Sequence, residues 1–494
     1  MPGKALPDRP NLDQYKTQAK ELLRAWRAAD PEAIARVTTH HPRLRSRGAS
    51  PGAAFRLADA QLVIAREHDD DTWAAFAARV EAIVGAAAVP PWKLAEDAVV
   101  RGDAEALAAL LREHGDALRR GHPSTWSGGL APSYAEAEAR TIITREHFFP
   151  TWDAFAALAA ARRDPRSPVA RFEAAAEAIV AGDLPTLARL LGEDPELVRA
   201  RSARRHRATL LHYVGSNGIE GFRQRAPKNL VAIATALLDA GADIDATAQM
   251  YGADDRTLDL AATSIHPVLS GVLEPLLALL LSRGATVGDA HGAAAWSRLI
   301  NACHANGRPA AAEFLAARAP GPLDLEAAAG VGRLDEVAAC FTPDGHLVPP
   351  ATEQQRNSGF IWACEYGRTE VVAFLIARGV PFGERLAPHG QTGLHWAAWE
   401  AHVDTLQTLL DAGAPVDIPD DDHRGTALGW ALYAWGGGGP RPGDVRYYAI
   451  VERLIAAGAT LDQEWIDERQ PPTRLGQALR QDPRMRAVLR LGPT

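Results

Sequence analysis

Along the second half of the chain, apolar residues fall in short helical stripes separated by turns. Within residues 389–420, Leu394, Ala397 and Ala398 line a thin face of one short helix that Thr392 is placed to cap. Val403, Leu406, Leu409 and Leu410 then recur at spacings of three and four on a second helix, and Gly413 supplies the left-handed residue that ends it. Second helices of the same kind end at Gly241, Gly284, Gly379 and Gly458, and first helices begin near Thr209, Thr257, Trp296, Leu325, Ser358, Thr392 and Thr426. This predicts about seven two-helix units over 206–462, the fourth short. A single unit cannot cover its own apolar side, so the units must stack. No period-two alternation is sustained, so almost no strand is expected.

The first two hundred residues are also helical in period and partly repeat themselves. Ala65-Arg66-Glu67-His68 followed by Trp73 and Phe76 returns as Thr144-Arg145-Glu146-His147 with Trp152 and Phe155, 79 residues on. Proline-rich breaks at 89–91 and 164–168 divide the region into helical modules over 1–89 and 90–166 and a linking helix pair over 167–205. Residues 463–494, with Trp465, Leu475, Leu479 and Val488, would cap the open apolar end of the stack. Three insertions stretch the units. They are 216–229, which carries Arg223, Arg225 and Lys228; 246–255, with Met250 and Tyr251; and 435–446, whose four consecutive glycines predict a flexible loop.

The segments TGLHWAAWEAH and LLDAGAPVD resemble the two helices of an ankyrin repeat, with Gly393 in place of the helix-starting proline and Ala401 in place of the glycine between the helices. The region from Leu210-Leu211-His212-Tyr213 through the last unit, about half the chain, is similar to bacterial ankyrin-repeat proteins, and the Arg-Glu-His segments resemble a helical module found beside such repeats. Where that module has a Gly-Phe pair after the histidine, this chain has Asp69-Asp70-Asp71 and Phe148-Phe149-Pro150. The resemblance implies an all-α fold, an ankyrin-type helical repeat solenoid with N-terminal helical hairpin modules, and a role in protein recognition. It carries over no catalytic residue.

A formal charge of −8 over 494 residues argues against general nucleic-acid binding, which needs clustered cations. Three cysteines without CxxC spacing indicate neither a disulfide framework nor a zinc ribbon. With no signal-type apolar run in the first thirty residues and no stretch long enough to span a bilayer, a cytoplasmic protein is expected. Gly436 to Gly439 lack the Lys-Ser/Thr of a phosphate loop, and only His304 beside Cys303 approaches a metal-ligand pair, so neither cofactor nor metal is expected. Adjacent helical residues diverge, which makes the Arg-Glu-His triplets structural rather than catalytic.

The informative pattern is aromatic. Trp362, Trp396 and Trp430 follow one another at intervals of 34 residues, and Glu365, Trp399 and Tyr433 form a second row three residues further on. Stacking turns both rows toward the concave side, either packed between repeats or half-exposed as anchors for a partner. The expected function is therefore a non-catalytic scaffold or adaptor that binds a protein or peptide. The alternative is an anion or phosphorylated-ligand site, with or without enzymatic activity, formed by Tyr213, Arg223, Arg225 and Tyr251.

Overall fold

In the computed structural model, which describes residues 12–42, 44, 55–68, 70–85, 91–121, 135–288, 292–462 and 474–491, many helices begin where a short polar side chain takes up the free N–H groups of the first turn. Asp30 accepts from the Ala33 amide, Ser167 from Ala170, Asp183 from Thr186 and Asp324 from Ala327. The chain falls into two compact units, Met1–Ile142 and Ile143–Thr494. The first is built from paired helices, among them Leu12–Arg27, Pro31–His40, Leu57–Glu67 and Trp73–Gly85. Tyr15, Trp26, Ile64 and Phe76 are buried at its centre. His68 lies with its ring 5.3 Å from both Tyr15 and Phe76, and the buried Glu67 takes two hydrogen bonds, 2.7 and 2.9 Å, from Arg36.

Among the described residues of the second unit, seven helix pairs follow residue 206. Their first helices are His212–Gly215, Thr257–Thr263, Ala293–Ala305, Leu325–Val331, Glu353–Glu365, Gly393–Trp399 and Ala427–Tyr433. Their second helices are Leu230–Asp239, Leu273–Ser282, Pro309–Ala316, Leu334–Ala339, Thr369–Ala377, Val403–Asp411 and Arg446–Ala456. Five of these second helices are followed by a left-handed glycine, Gly241, Gly284, Gly379, Gly413 and Gly458, with φ between 76° and 94°. One continuous core runs from Phe172 to Leu489. At its far end Leu479 and Met485 are buried, and Tyr448 donates to Asp482 at 2.7 Å, so helices Arg474–Gln481 and Pro483–Val488 cover the last pair. Trp465 lies outside the described residues.

Three segments show detail that the sequence pattern leaves open. The residues on both sides of the break at 166 fall in one compact unit. The second Arg-Glu-His segment packs into the array, with the His147 ring 4.9 Å from Phe155 and 4.8 Å from Phe222 in the first insertion. The second insertion forms a short antiparallel hairpin, Thr247–Met250 with Ala253–Arg256, in register from Thr247 opposite Arg256 to Met250 opposite Ala253. The glycine-rich insertion is folded tightly rather than loose. A Cβ on Gly438 would overlap the Tyr433 ring, one on Gly439 would overlap Ala434, and Trp435 is buried.

The first insertion is drawn inward by charge. Arg204, Arg223, Glu173 and Glu220 are all at most 2% exposed. Arg204 pairs with both carboxylates, donating to Glu173 Oε2 at 2.9 Å, and Arg223 donates to Glu173 at 3.0 Å and to Glu220 at 3.4 Å. The Tyr213 hydroxyl, fully buried, also donates to Glu220 at 3.3 Å. Two cations thus neutralise two anions, and helix Pro168–Ala181, which carries Glu173, is locked to the first repeat. Burial alone would raise the Glu220 pKa, but Arg204, His206 and Arg223 hold it well below the ordinary carboxylate range.

Because a depressed carboxylate contributes stability above its unfolded pKa and loses it as pH falls through the folded one, this contribution is full at neutral pH and fades below about 4.5. Glu220→Gln leaves two buried guanidinium groups to share the Glu173 carboxylate, with one positive charge uncompensated. It is expected to cost about 3–5 kcal/mol at pH 7, with the gap to wild type narrowing as the medium is acidified. Thermal melts of both proteins from pH 7 to pH 3 check this, and a constant gap would show that the ionised tetrad is not what holds the insertion.

Candidate functional site

The site is built from one repeat's first helix, the turn that follows its second helix, and the next repeat's first helix. The Thr392 amide donates to His395 Nδ1 at 3.1 Å, so the proton is on Nε2, which donates to the Gly425 carbonyl at 3.1 Å. Helix Gly393–Trp399 is thereby tied to the turn ahead of helix Ala427–Tyr433. In that turn the Asp420 carboxylate accepts from the amides of His423 (2.7 Å) and Gly425 (2.8 Å) and from Trp430 Nε1 (2.9 Å). Burial would raise the Asp420 pKa, yet these N–H groups hold it below its ordinary value, so it is ionised at neutral pH. A Cβ on Gly425 would lie 2.9 Å from Asp420 Oδ2 and 3.0 Å from Trp430 Cδ1, which is why no side chain stands there.

Four rings line the space above this turn. Trp430 is 5.4 Å from Trp396 and 5.4 Å from Trp399, inclined at 78° and 67°, and Trp399 runs nearly parallel to Tyr433 at 6.3 Å. The three indoles are half-buried and Tyr433 is 58% exposed, its back against Gly438. Together with Asp420, Asp422 and His423 they enclose a pocket of about 570 Å³. Both proposed fates of the aromatic row are therefore realised at once, since the rings pack across the repeat boundary and also leave a face open.

Two residues of the predicted rows do not join this pocket. Trp362 donates through Nε1 to Glu326 at 3.0 Å and stacks on Tyr366 at 6.4 Å, facing the preceding repeat. Glu365 is covered rather than presented, with Oε2 lacking a hydrogen-bond partner, and its pKa is pushed up to about 7 by burial and by the nearby charge of Glu400, against a hydrogen bond from Tyr366. Asp420, Asp422 and His423 were not expected from the sequence. The signal was the acidic run of the turn, ten residues ahead of Trp430.

The alternative anion site is corrected by the structure. Tyr213 and Arg223 are buried in the charge tetrad, and Arg225 pairs with Glu177 at 2.9 Å, so these cations are already neutralised. Tyr251, 75% exposed, donates to Asn217 at 2.6 Å and accepts from the Gly218 amide at 3.1 Å. The inserts do meet, but through Asn217 and Gly218 rather than the arginines. Tyr251 borders a polar pocket of about 510 Å³ that includes Asp254, Asp255 and Asp259, the wrong sign for an anion despite Arg256 and Arg298. His304 is buried, its pKa pushed down to about 3 by desolvation, and the Cys303 thiol faces the Ala262 carbonyl. Among the described residues, no group of three or more His, Cys, Asp or Glu side chains is disposed to hold a metal. No described helix is long and apolar enough to cross a membrane.

The family model for ankyrin repeats (3 copies) matches residues 299–422 and 360–464, so that stretch carries ankyrin repeats. It is 35% identical over 103 residues to E3 ubiquitin-protein ligase XB3 of Oryza sativa subsp. japonica, covering 21% of this chain and 23% of that protein. To the human Ankyrin repeat and KH domain-containing protein 1 it is 35% identical over 111 residues, 22% of this chain and 4% of that one. The chain thus spans less than a quarter of these relatives' length. A solved structure, the human ASB11 ankyrin repeat domain, aligns with 58% of this chain and 99% of its own at 20% identity and a TM-score of 0.28.

Glu365 gives a sign-definite pH test. A carboxylic acid whose folded pKa is raised from 4.5 to about 7 contributes stability that is full below 4.5 and lost as pH rises through 7. Relative to wild type, Glu365→Gln is expected to be stabilising by on the order of 2 kcal/mol at pH 8 and nearly neutral at pH 5. Melting curves at the two pH values measure this, and parallel profiles would refute it.

Proposed function

We propose that this chain is a non-catalytic scaffold or adaptor that grips a protein or peptide partner in the pocket formed by Trp396, Trp399, Trp430 and Tyr433. The observation that carries the reading is the open face of four clustered aromatic rings, backed by Asp420 and Gly438 so that they need little rearrangement to bind. Large rings in such a setting are the residues that dominate interfaces, and holding them in place before contact removes part of the ordering cost. Ankyrin repeats commonly bind proteins, which supports the same reading. The three cysteines are free, which fits a reducing, cytoplasmic setting. The insertion loops, including the exposed Tyr251, extend the surface available to a partner.

Crosslinking the protein in its native cytosol identifies the partner, and Trp399→Ala tests the pocket. Loss of the indole is expected to weaken partner binding by roughly 2 kcal/mol or more, about thirtyfold, with helical content unchanged. A purely packing role predicts the reverse, a cost of roughly 3–5 kcal/mol in folding stability. A large fall in melting temperature with unaltered affinity of the surviving folded protein would overturn the proposal.

A further inference from the structure

We infer that the group taken into this aromatic pocket is an arginine side chain of the partner peptide. The inference rests on the reading of the pocket as the partner-binding site and adds the chemistry of the ligand. Aromatic faces carry the negative side of a quadrupole and attract weakly hydrated cations. Here Trp430 stands steeply inclined to both Trp396 and Trp399, and Tyr433 lies nearly parallel to Trp399, so faces and edges border the space from several directions.

The charge of the wall points the same way. Asp420 is held ionised directly beneath Trp430, and the hydrogen bond it takes from the indole N–H pushes electron density into that ring. Asp422 adds a half-exposed carboxylate at the rim, where it lies 3.3 Å from His389 in a surface contact that a guanidinium displaces at little cost. Neither lysine nor arginine is among the residues that line the pocket, so nothing inside neutralises this field. An apolar side chain would satisfy the rings and leave the carboxylate field unused.

Between the two common cations the pocket favours the guanidinium. A lysine ammonium is a compact, strongly hydrated charge that must give up its water, whereas a guanidinium is planar, weakly hydrated, and lies on a ring while its edge N–H groups reach a carboxylate. The same protein sets guanidinium groups over rings elsewhere, with Arg318 3.6 Å above Phe314 and Arg484 4.1 Å above Tyr448. A volume of about 570 Å³ admits a long side chain with part of its backbone.

Selection of a random dodecapeptide library on the full chain, followed by fluorescence polarisation with the enriched peptides, tests the inference. Enriched sequences are expected to share an arginine. Its replacement by citrulline, equal in shape but neutral, or by lysine should weaken binding about tenfold or more. Asp422→Asn should weaken the arginine peptide and leave the citrulline peptide unchanged. Enrichment of apolar sequences, equal binding of the citrulline peptide, or tighter binding of a trimethyl-lysine peptide would overturn the arginine assignment while leaving the pocket as the binding site. Enriched peptides that bind Trp399→Ala as well as wild type, or no enrichment at all, would overturn both. Tyr433→Ala, at a largely exposed ring, repeats the comparison should Trp399→Ala melt early.

Discussion

A helix pair of this kind has almost nothing to bury until another lies against it, and how closely the next one can approach is set by its smallest side chains. At four seams the first helices come together where only glycine fits, and at one of them a Cβ on Gly330 would overlap the His304 ring. A Cβ on Gly215 would lie 2.7 Å from Leu260, one on Gly359 2.9 Å from Ala329, and one on Gly393 2.7 Å from the Cys364 sulfur and 2.9 Å from Phe360. Gly393 is one of the two residues that depart from the ankyrin pattern, and the reason is local, since the side chains of Phe360 and Cys364 occupy the space that a proline ring would need. Such close approach leaves no room for an indole in the seam itself. Trp396, Trp399 and Trp430 are therefore displaced to its edge, half-buried against each other, where a pocket can form.

Apolar stacking alone does not say where an array starts, because any exposed seam will take any apolar face. At the start of this one the contact is charged. Helix Pro168–Ala181 meets the first repeat through the tetrad of Glu173, Glu220, Arg204 and Arg223, with Tyr213 donating into it. Removing four charged groups from water is expensive, and the arrangement persists because every carboxylate faces two guanidinium groups. A mismatched helix would leave a buried charge unpaired, a penalty that contacts between leucine and alanine do not impose.

How much of this was legible depended on whether the determining contact is near in sequence. Helix period and the recurring terminal glycines are local, and they located the helix pairs of the array. The 34-residue spacing located Trp396 and Trp430, but it also matched Trp362, whose two preceding units offer Glu326 and His304 in place of another tryptophan. A repeat period fixes a position and leaves its neighbour open. Arg223 read as a free cation because Glu173 is 50 residues away, and only folding brings them together. The glycines at 436–439 read as flexible because a sequence cannot distinguish freedom of the backbone from close approach to it, and at Gly438 and Gly439 the second holds.

The pocket thus owes little to what makes the chain an ankyrin array. It needs an acidic turn that reaches across to one indole, a second tryptophan one helical turn after the repeated one, and a glycine-rich insertion close enough to back Tyr433. Arg441 fastens that insertion by pairing with Glu400 and donating at 2.8 Å to its carbonyl, immediately after Trp399, so the wall is held from the side opposite Asp420. Each device is a departure from the repeat and lies within two adjacent units. Stacking supplies a rigid edge and the departures supply the chemistry, so relatives that share the stacking pattern carry no implication about what this edge binds.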